Sequence, residues 1–398
     1  MIGISKLYCG TVEPGDVLRY RAGGERLPAH LLQFAEDKRP VVVWNCTRRC
    51  NLRCVHCYSA SADRAYAGEL TTDEARRLID DLAGFGAPVL LFSGGEPLLR
   101  PDVHELIAYA AERSLRAVVS TNGTLIDEET VERLRDSGAA YVGVSLDGLG
   151  EANDRFRGVA GAFDRALAGI RRCRDAGLKV GLRFTITRWN VGEVEGIFRL
   201  VREERIPRLC FYHLVYAGRG TGLKDEDLAP AATRRVVDSI IDHTADLHAD
   251  GRGPEVLTVD NHADGPYLYL RMQREGHPGA ADALRLLRMN QGNQSGRGIG
   301  CVSWDGTVHP DQFWRHAVFG NVRERPFSQI WTDTSNPLLA KLKDKRPHLT
   351  GRCAACRWLD VCGGNFRVRA EAATGDLWAP DPACYLTDEE IGLTENDE

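Results

Sequence analysis

Three cysteines near the start of the chain have the spacing best suited to chemistry. Cys50, Cys54 and Cys57 form a CxxxCxxC pattern that places three thiolates in one short loop. Thiolates hold iron–sulfur clusters, and a [4Fe-4S] cluster normally takes four of them. Three ligands therefore predict a cluster with one iron left to bind another molecule. The alternative is zinc, although structural zinc sites prefer four closed ligands. We do not count the intervening His56 as a ligand.

A second cysteine set lies near the end of the chain. Cys353, Cys356, Cys362 and Cys384 follow a CxxCx5C pattern and then a gap of 21 residues. Four thiolates are enough to close a coordination sphere, so an iron–sulfur cluster and a structural zinc ion are both open. Five cysteines remain outside the two sets: Cys9, Cys46, Cys173, Cys210 and Cys301. A buried free thiol is the role we expect for Cys301.

The first cysteine set directly follows a short β-rich run, and such runs alternate with amphipathic helical patterns. Helix starts are indicated by Thr72, followed by two acidic residues, and by Asp127. Alternation of this kind predicts an α/β fold with a parallel sheet. Six such units predict a partial (β/α)6 TIM-like barrel that binds its ligands at the carboxyl ends of the strands. The candidate strands are 41–45, 89–92, 117–120, 141–145, 180–185 and 209–213.

Beyond the sixth strand the alternation fades, which indicates a change of domain. A glycine-containing loop and a helical stretch predict a bridging region, and residues 302–308 read as a hairpin with Asp305-Gly306 at its turn. The last hundred residues then form a small cluster-binding domain. The predicted division is an N-terminal segment 1–38, a barrel 39–216, a bridge 217–299 and a C-terminal domain 300–398.

The bulk composition excludes several classes of protein. The 398 residues are 43% hydrophobic and 27% charged, with a net charge of −5. No apolar run approaches the roughly 20 residues of a membrane helix, and no secretory signal is visible, so we expect a cytoplasmic protein. The absence of a long basic tract argues against nucleic acid as the main partner. Twelve cysteines in a reducing compartment indicate metal binding or redox work.

The first cysteine set and its surroundings resemble the radical SAM superfamily. The resemblance rests on CxxxCxxC, on the aromatic Tyr58 that follows it, and on Ser93-Gly94-Gly95-Glu96-Pro97, which is similar to the GGEP motif of that family. It implies that the open iron chelates S-adenosylmethionine (SAM), whose one-electron cleavage releases a 5′-deoxyadenosyl radical. The residues that it implies for SAM binding are Gly94, Gly95, Glu96, Ser120, Thr121, Asn122, Ser145, Asp147 and Arg183.

The second cysteine set resembles the SPASM extension of radical SAM enzymes. That resemblance implies an auxiliary [4Fe-4S] cluster on Cys353, Cys356, Cys362 and Cys384. Full SPASM domains hold two auxiliary clusters, but here Asp311 and Phe366 stand where further cysteines are expected. We therefore predict one auxiliary cluster and two [4Fe-4S] clusters in all.

Four further segments are similar to the tetrapyrrole-modifying group of that superfamily, and most of all to its didecarboxysiroheme deacetylases. They are residues 2–14, 40–45, 300–306 and 309–314. The resemblance implies removal of two acetate side chains from 12,18-didecarboxysiroheme, which gives iron-coproporphyrin III in an alternative route of haem biosynthesis. Hydrogen abstraction would start the reaction, and the auxiliary cluster would pass an electron. The implied partners are the iron tetrapyrrole and a low-potential electron donor such as ferredoxin or flavodoxin.

A substrate with several carboxylates suits cationic side chains, whereas its iron suits histidine. No catalytic residue is firmly assigned from the sequence. The candidates for carboxylate binding are Arg219, Lys224, Arg297 and Arg315. The candidates for iron ligation or proton transfer are His213, His309 and His316.

Three alternative functions remain open from the sequence. The haem d1 branch of the same group removes propionate chains and shares nearly all the motifs. A peptide-modifying SPASM enzyme would normally carry an N-terminal peptide-recognition domain, for which the first forty residues are too short. A non-catalytic iron–sulfur electron carrier would leave the motif at residues 94–96 unexplained.

Overall fold

The computed structural model describes residues 1–12, 39–251 and 253–393. The described residues form two compact units, each with most of its contacts within itself. The first unit contains residues 39–184 and 295–343, and the second unit contains residues 1–12, 185–251, 253–294 and 344–393. The four-part division made from the sequence stays a prediction. No helix in the described part of the chain is both long enough and apolar enough to cross a membrane.

The described strands, in chain order, are β1 (Ile2–Gly3), β2 (Val41–Thr47), β3 (Val89–Gly94), β4 (Arg116–Thr121), β5 (Tyr141–Ser145), β6 (Val180–Ile186), β7 (Arg208–His213), β8 (Glu255–Val259), β9 (Ile299–Val302), β10 (Thr307–His309) and β11 (Gly320–Asn321). All six strands predicted for the barrel are present, with ends within two residues of those expected. They are β2 to β7.

The described α-helices are α1 (Ile4–Cys9), α2 (Thr72–Phe85), α3 (Val103–Glu112), α4 (Glu128–Asp136), α5 (Glu151–Arg157), α6 (Ala162–Asp175), α7 (Val194–Glu203), α8 (Pro230–His248), α9 (Asp264–Arg274), α10 (Ala280–Asn290), α11 (Phe327–Thr332), α12 (Pro337–Lys343), α13 (Gly351–Ala354), α14 (Leu359–Cys362), α15 (Arg367–Thr374) and α16 (Asp388–Ile391). Short 3-10 helices span Pro97–Leu99, Val191–Glu193, Gly218–Glu226 and Arg346–His348.

In the first unit, strands β2 to β6 form a parallel sheet in sequence order. Their side chains are largely buried, as parallel strands connected by helices require. Strand β9 adds a further parallel strand beside β2, with Cys301 opposite Val43. Strands β10 and β11 extend the sheet antiparallel, and the predicted hairpin turn at Gly306 is confirmed with a φ of +83°.

The two helix starts predicted from the sequence agree with the structure to within one residue. Asp127 caps α4 through the backbone N–H of Thr130, as predicted. For α2 the cap is Thr71 rather than the expected Thr72, because Thr71 and Glu74 form a reciprocal capping box. The helix therefore begins at Thr72, one residue earlier than a cap at Thr72 would place it.

In the second unit, β7 pairs in parallel with β8, and β8 pairs antiparallel with β1. Ser5 at the start of the chain exchanges hydrogen bonds with the backbone of Val256, which ties α1 to β8. The region predicted as a bridge therefore contains a strand and the helices α8, α9 and α10. This unit also carries the second cysteine set.

Candidate functional site

The first cysteine loop begins where β2 ends, at the carboxyl edge of the sheet. Cys50 and Cys54 are each 7% exposed, and Cys57 is half-buried. Burial raises the pKa of the Cys50 thiol to about 12, with Glu96 and the nearby Cys54 and Cys57 thiols adding to the shift. Close thiols of which two are buried ionise readily only beside a cation, and iron supplies one.

Hydrogen-bond donors point at two of the three sulfurs. The Arg157 guanidinium donates to Cys54 Sγ at 3.6 Å, and the side-chain amide of Asn122 lies 3.9 Å from Cys50 Sγ. The backbone N–H of Leu52 also donates to Cys50 Sγ at 3.4 Å. Donors to sulfur stabilise thiolates and tune the potential of iron–sulfur clusters, so the loop fits such a cluster.

Among the described residues, no group of three or more His, Cys, Asp or Glu side chains is arranged around one point to hold a metal ion. The thiolates of a cubane cluster each bind a different iron, so a cluster does not require that convergence.

Two glycines hold the cysteine loop against the end of β3. A Cβ on Gly94 would lie 2.2 Å from the carbonyl oxygen of Thr47, and a Cβ on Gly95 would lie 2.1 Å from that of Arg49. The same backbones are joined by hydrogen bonds of 2.8 Å from Gly95 N to Thr47 O and from Glu96 N to Arg49 O. The glycines thus allow the motif to pack directly on the loop that carries the cysteines.

We expect Gly95→Ala to lower the free energy of unfolding by about 3 kcal/mol, because the clash is with backbone that cannot rotate away. Iron bound after anaerobic reconstitution should fall with it. Thermal unfolding and iron analysis measure both effects. The matched control is Gly84→Ala within α2, where a Cβ meets nothing within 4 Å. If the two variants behaved alike, the glycine packing would have no role in the loop.

Glu96 links the ends of β3 and β4. Its carboxylate is fully buried and accepts hydrogen bonds from Thr121 Oγ1 at 2.7 Å, Asn122 N at 2.8 Å and Leu98 N at 3.1 Å. Burial raises its pKa to about 7, although these three donors lower it. Because Asn122 also contacts Asn51 at 2.8 Å, Glu96 is connected to the cysteine loop through one intermediate residue.

Arg183 and its neighbours lie on three adjacent strands, β4, β5 and β6. The guanidinium of Arg183 hydrogen-bonds Ser120 Oγ, and Ser145 is its register partner on β5. A Cβ on Gly143 would lie 2.3 Å from Arg183 Nε, so this glycine provides the space that the guanidinium fills. The structure therefore brings together three of the predicted SAM-binding residues, Ser120, Ser145 and Arg183, on neighbouring strands.

Asp147 is fully buried and turned toward Arg157, with which it forms an ion pair. Its carboxylate also lies 3.7 Å from His56 Nε2, and the His56 ring packs on Phe156 with centroids 4.6 Å apart. Arg157 thus joins a predicted SAM-binding residue to a predicted cluster ligand, Cys54.

Sequence reasoning missed Arg157. It reaches the cysteine loop because the end of α5 runs beside it, with hydrogen bonds of 3.0 Å from Arg53 N to Arg157 O and from Val55 N to Phe156 O. The only local signal was Gly158, which ends α5 in the left-handed region and whose Cβ would lie 2.7 Å from Arg53 O.

The candidate substrate-binding residues of the first unit differ in burial and in the hydrogen bonds that they already form within the protein. His309 is buried, and its two ring nitrogens lie 3.0 Å from Ser303 Oγ and 2.9 Å from Ala317 O. His316 is exposed and accepts a hydrogen bond from Trp314 Nε1 at 3.2 Å. Arg297 and Arg315 are both half-buried.

In the second unit, His213 stands at the end of β7. Its Nε2 lies 2.9 Å from Asp264 Oδ2, and Tyr385 donates to the other oxygen of Asp264 at 2.7 Å. Arg219 is half-buried, and Lys224 is exposed with its ammonium 3.2 Å from Ala373 O.

The four cysteines of the second set also lie close together. The pKa of Cys362 is raised well above its ordinary value by burial and by the nearby thiols of Cys384, Cys353 and Cys356. Cys384 is positioned by Asp381, whose carbonyl accepts from Cys384 N at 3.0 Å. The cysteines occupy or flank the short helices α13 and α14 and the loop before α16.

Asp381 organises this loop through a buried ion pair. Its carboxylate accepts from Arg369 Nε and Nη2 at 2.8 and 2.9 Å, and from the backbone N–H groups of Phe366 and Ala383, both at 2.9 Å. Both charged side chains are fully buried. Phe366, which stands where a further cysteine was expected, stacks on His262 with centroids 5.7 Å apart.

We expect Asp381→Asn to lower the free energy of unfolding by about 3 to 5 kcal/mol, because it leaves the Arg369 charge buried without a counterion. Retention of the second cluster should fall as well. Denaturant unfolding and iron analysis provide the measurements. Asp282→Asn, which removes the carboxylate from the exposed pair with Arg285, should change neither quantity measurably. A variant as stable as wild type would exclude an organising role for Asp381.

Comparison with known proteins identifies the family. The model of the radical SAM superfamily matches residues 44–201, and that of an iron–sulfur cluster-binding domain, SPASM, matches residues 295–357. Fe-coproporphyrin III synthase of Methanosarcina barkeri is 62% identical over 398 residues, which are 99% of this chain and 100% of the relative. Pre-heme d1 synthase of Dinoroseobacter shibae is 45% identical, over 89% of this chain and 88% of the relative.

Two solved structures share the fold. Native anSMEcpe with bound AdoMet has a TM-score of 0.68 at 19% identity, covering 88% of this chain and 95% of that one. SuiB of Streptococcus suis bound to S-adenosylmethionine has a TM-score of 0.69 at 19% identity, covering 90% of this chain and 81% of that one. The predicted fold class is confirmed, and so are the predicted cofactors, SAM and [4Fe-4S] clusters. The chain belongs to the radical SAM superfamily and to the SPASM-containing family that includes Fe-coproporphyrin III synthase.

Proposed function

We propose that the protein converts 12,18-didecarboxysiroheme to iron-coproporphyrin III by removing two acetate side chains. The observation that carries this proposal is the 62% identity with Fe-coproporphyrin III synthase along the whole of both chains. Pre-heme d1 synthase at 45% and an AdoMet-dependent heme synthase of M. barkeri at 37% are more distant. SuiB has been solved with a bound precursor peptide, but it is only 19% identical to this chain. That similarity concerns the fold alone and does not support a peptide substrate here.

Residues in and around the first cysteine loop have separate roles in binding the cluster and SAM. Cys50, Cys54 and Cys57 hold the first cluster, and the bound cluster with SAM supplies the 5′-deoxyadenosyl radical that abstracts hydrogen. Glu96 is suited to receive the SAM amino group, because a buried carboxylate with a raised pKa gains most from a nearby cation.

The remaining predicted SAM-binding residues lie on or just after strands β4, β5 and β6. Arg183, held by Ser120 and facing Ser145 in register, is suited to the SAM carboxylate. Thr121 and Asn122 are already bound to Glu96, so their part is to fix the orientation of that carboxylate. Asp147 acts through Arg157 on the cluster loop.

The second cysteine set would hold the auxiliary cluster, which when bound would supply one electron. With one proton, that electron converts the side-chain radical released from the substrate to acetic acid. Among the histidines, His213 is the best candidate for iron ligation or proton transfer, because its pairing with Asp264 fixes the ring, as carboxylates do for ligating histidines. His309 is less suited, since both of its nitrogens are engaged. Arg219, Lys224, Arg297 and Arg315 remain the candidates for the substrate carboxylates.

The proposal includes a low-potential electron donor, such as ferredoxin or flavodoxin, and a cytoplasmic location. None of the twelve cysteines, all of which lie among the described residues, forms a disulfide. Reduced thiols in this number suit a reducing compartment.

The test is an anaerobic assay with defined substrates. The reconstituted protein is expected to bind about eight irons, as two four-iron clusters require. With SAM, a strong reductant and 12,18-didecarboxysiroheme, it should form 5′-deoxyadenosine and a pigment lighter by two acetate units, both followed by mass spectrometry. SAM cleavage with an unchanged pigment would reject the deacetylase function, and turnover of the haem d1 precursor instead would assign the protein to that branch.

A further inference from the structure

Two guanidinium groups converge on one backbone oxygen beside the cluster loop. Arg48 Nε donates to the carbonyl oxygen of Ser59 at 3.1 Å, and Arg315 Nη1 donates to the same oxygen at 3.0 Å. Ser59 lies two residues after Cys57, and Arg315 lies in the loop between β10 and β11. Residues far apart in the sequence thus place two positive charges at one point of the first unit.

An aromatic platform fixes both groups. The guanidinium carbons of Arg48 and Arg315 lie 4.9 and 4.8 Å from the ring centre of Trp304, which is 7% exposed. Arg48 also lies 4.7 Å from the ring centre of Tyr66. Cation–π contacts hold the planar groups in place but do not neutralise their charge.

The charge of this pair is not balanced by a carboxylate contact. Among the described residues, neither Arg48 nor Arg315 forms an ion pair. Glu69, the acidic residue nearest to the Arg48 backbone, accepts instead from Thr47 Oγ1 at 2.6 Å and Arg48 N at 3.2 Å. Asp305 acts on Arg315 electrostatically, but its Oδ1 accepts from Thr307 N at 3.1 Å.

The two cations also oppose each other. Burial and the charge of Arg48 both lower the pKa of Arg315, which is half-buried. One shared carbonyl oxygen cannot offset two unit charges held this close. Each guanidinium keeps N–H groups that the contacts with Ser59 do not use, since an arginine has five donors. An anion with two oxygens would satisfy both charge and donors.

We propose that Arg48 and Arg315 form a carboxylate-binding site that anchors a side-chain carboxylate of the tetrapyrrole substrate next to the cluster loop. The planar fork of arginine matches a carboxylate in geometry as well as charge. Phe313, two residues before Arg315, packs edge-on against Tyr58 at 5.3 Å, so the loop that carries Arg315 is seated on the cysteine loop. The identity of the anion as a tetrapyrrole carboxylate rests on the proposed function.

SAM is the other source of a carboxylate in this enzyme. We assign the SAM carboxylate to Arg183, which lies on β6, and the substrate carboxylate to the Arg48–Arg315 pair. The two assignments make different predictions, because substitution of the pair then weakens substrate binding without changing the affinity for SAM.

The test uses the anaerobically reconstituted full chain without reductant, so that binding is measured in the absence of turnover. Arg48→Met and Arg315→Met should each weaken binding of 12,18-didecarboxysiroheme, followed by spectral titration, by about 10- to 100-fold, the range for a lost hydrogen bond to a charged group. Iron content, thermal stability and SAM affinity should stay at wild-type values. Arg315→Lys keeps the charge but not the planar fork, so its affinity for the substrate should lie between those of the wild type and Arg315→Met.

Arg64→Met is the matched control, because Arg64 also lies over the Tyr66 ring, at 4.8 Å, but is exposed and makes no contact with Ser59. It should bind the substrate as wild type does. Wild-type affinity in both Arg48→Met and Arg315→Met would overturn the proposal, and so would a loss of SAM affinity in place of substrate affinity. If instead the pair proved necessary for binding a haem d1 precursor that the enzyme turns over, the carboxylate site would stand and the deacetylase function would fail.

Discussion

Cys54→Ala is expected to abolish the cleavage of SAM and to reduce the bound iron from about eight atoms per chain to about four. Cys54 is one of three thiols in the loop after β2, and it is the one that receives the charged hydrogen bond from Arg157. With two thiolates left, the first cluster loses a ligand that no neighbouring cysteine replaces, because Cys46 and Cys301 are fully buried in β2 and β9. Iron and sulfide analysis and 5′-deoxyadenosine formation provide the measurements.

Two further variants make this result specific. Cys173→Ala removes a buried thiol from α6, outside both cysteine sets, and should leave iron content and SAM cleavage unchanged. Cys362→Ala, in the second set, should also cost about four irons but should retain SAM cleavage, because initiation depends on the first cluster alone. Full iron content in Cys54→Ala, or equal losses of SAM cleavage in Cys54→Ala and Cys362→Ala, would contradict the division into an initiating and an auxiliary cluster.

The parts of this site that the sequence predicts are those that depend on neighbours along the chain. Six apolar runs predicted six strands because burial on both faces of a parallel sheet leaves few polar positions. The spacing of the first cysteine set predicted its cluster because a loop of eight residues is short enough to bring its own ligands together. The second cluster and the GGEP motif were predicted from resemblance to the family, because the spacing of the second set alone left zinc open.

Contacts between distant segments could not be predicted in this way. Strand β9 pairs with β2 across some 250 residues, and β8 was missed because its five residues fall in a region without alternation. His309 was a candidate ligand by residue type, but its engagement with Ser303 and Ala317 depends on how the hairpin folds. Arg48 has no motif of its own, and only the folded loops show that it meets Arg315.

The two glycines of the motif have a role beyond the SAM binding that the family resemblance implies. The nearest protein atoms to the side chains that they lack are the carbonyl oxygens of Thr47 and Arg49. A motif can therefore serve the cofactor indirectly, by fixing the loop that holds the cluster. The contacts of Glu96 with Thr121 and Asn122 follow the same principle.

Arg157→Met is expected to make the first cluster harder to reduce, by about 60 to 120 mV, and to slow SAM cleavage at least tenfold. Arg157 is 7% exposed, donates to Cys54 Sγ and pairs with the fully buried Asp147. A hydrogen bond to a charged group contributes about 1.5 to 3 kcal/mol. It strengthens as the cluster gains negative charge on reduction, and about 59 mV corresponds to a tenfold change for one electron.

The measurement is a redox titration followed by electron paramagnetic resonance, made in the Cys362→Ala background so that the first cluster is observed alone. Arg157→Met also leaves the Asp147 carboxylate buried without its partner, which shifts the potential in the same direction. The double variant Asp147→Asn/Arg157→Met removes that charge, so the shift that remains belongs to the hydrogen bond on Cys54. An unchanged potential in the double variant, with only a loss of stability, would reduce Arg157 to a packing residue. A shift that persists would make it the residue that sets how readily the enzyme starts its radical chemistry.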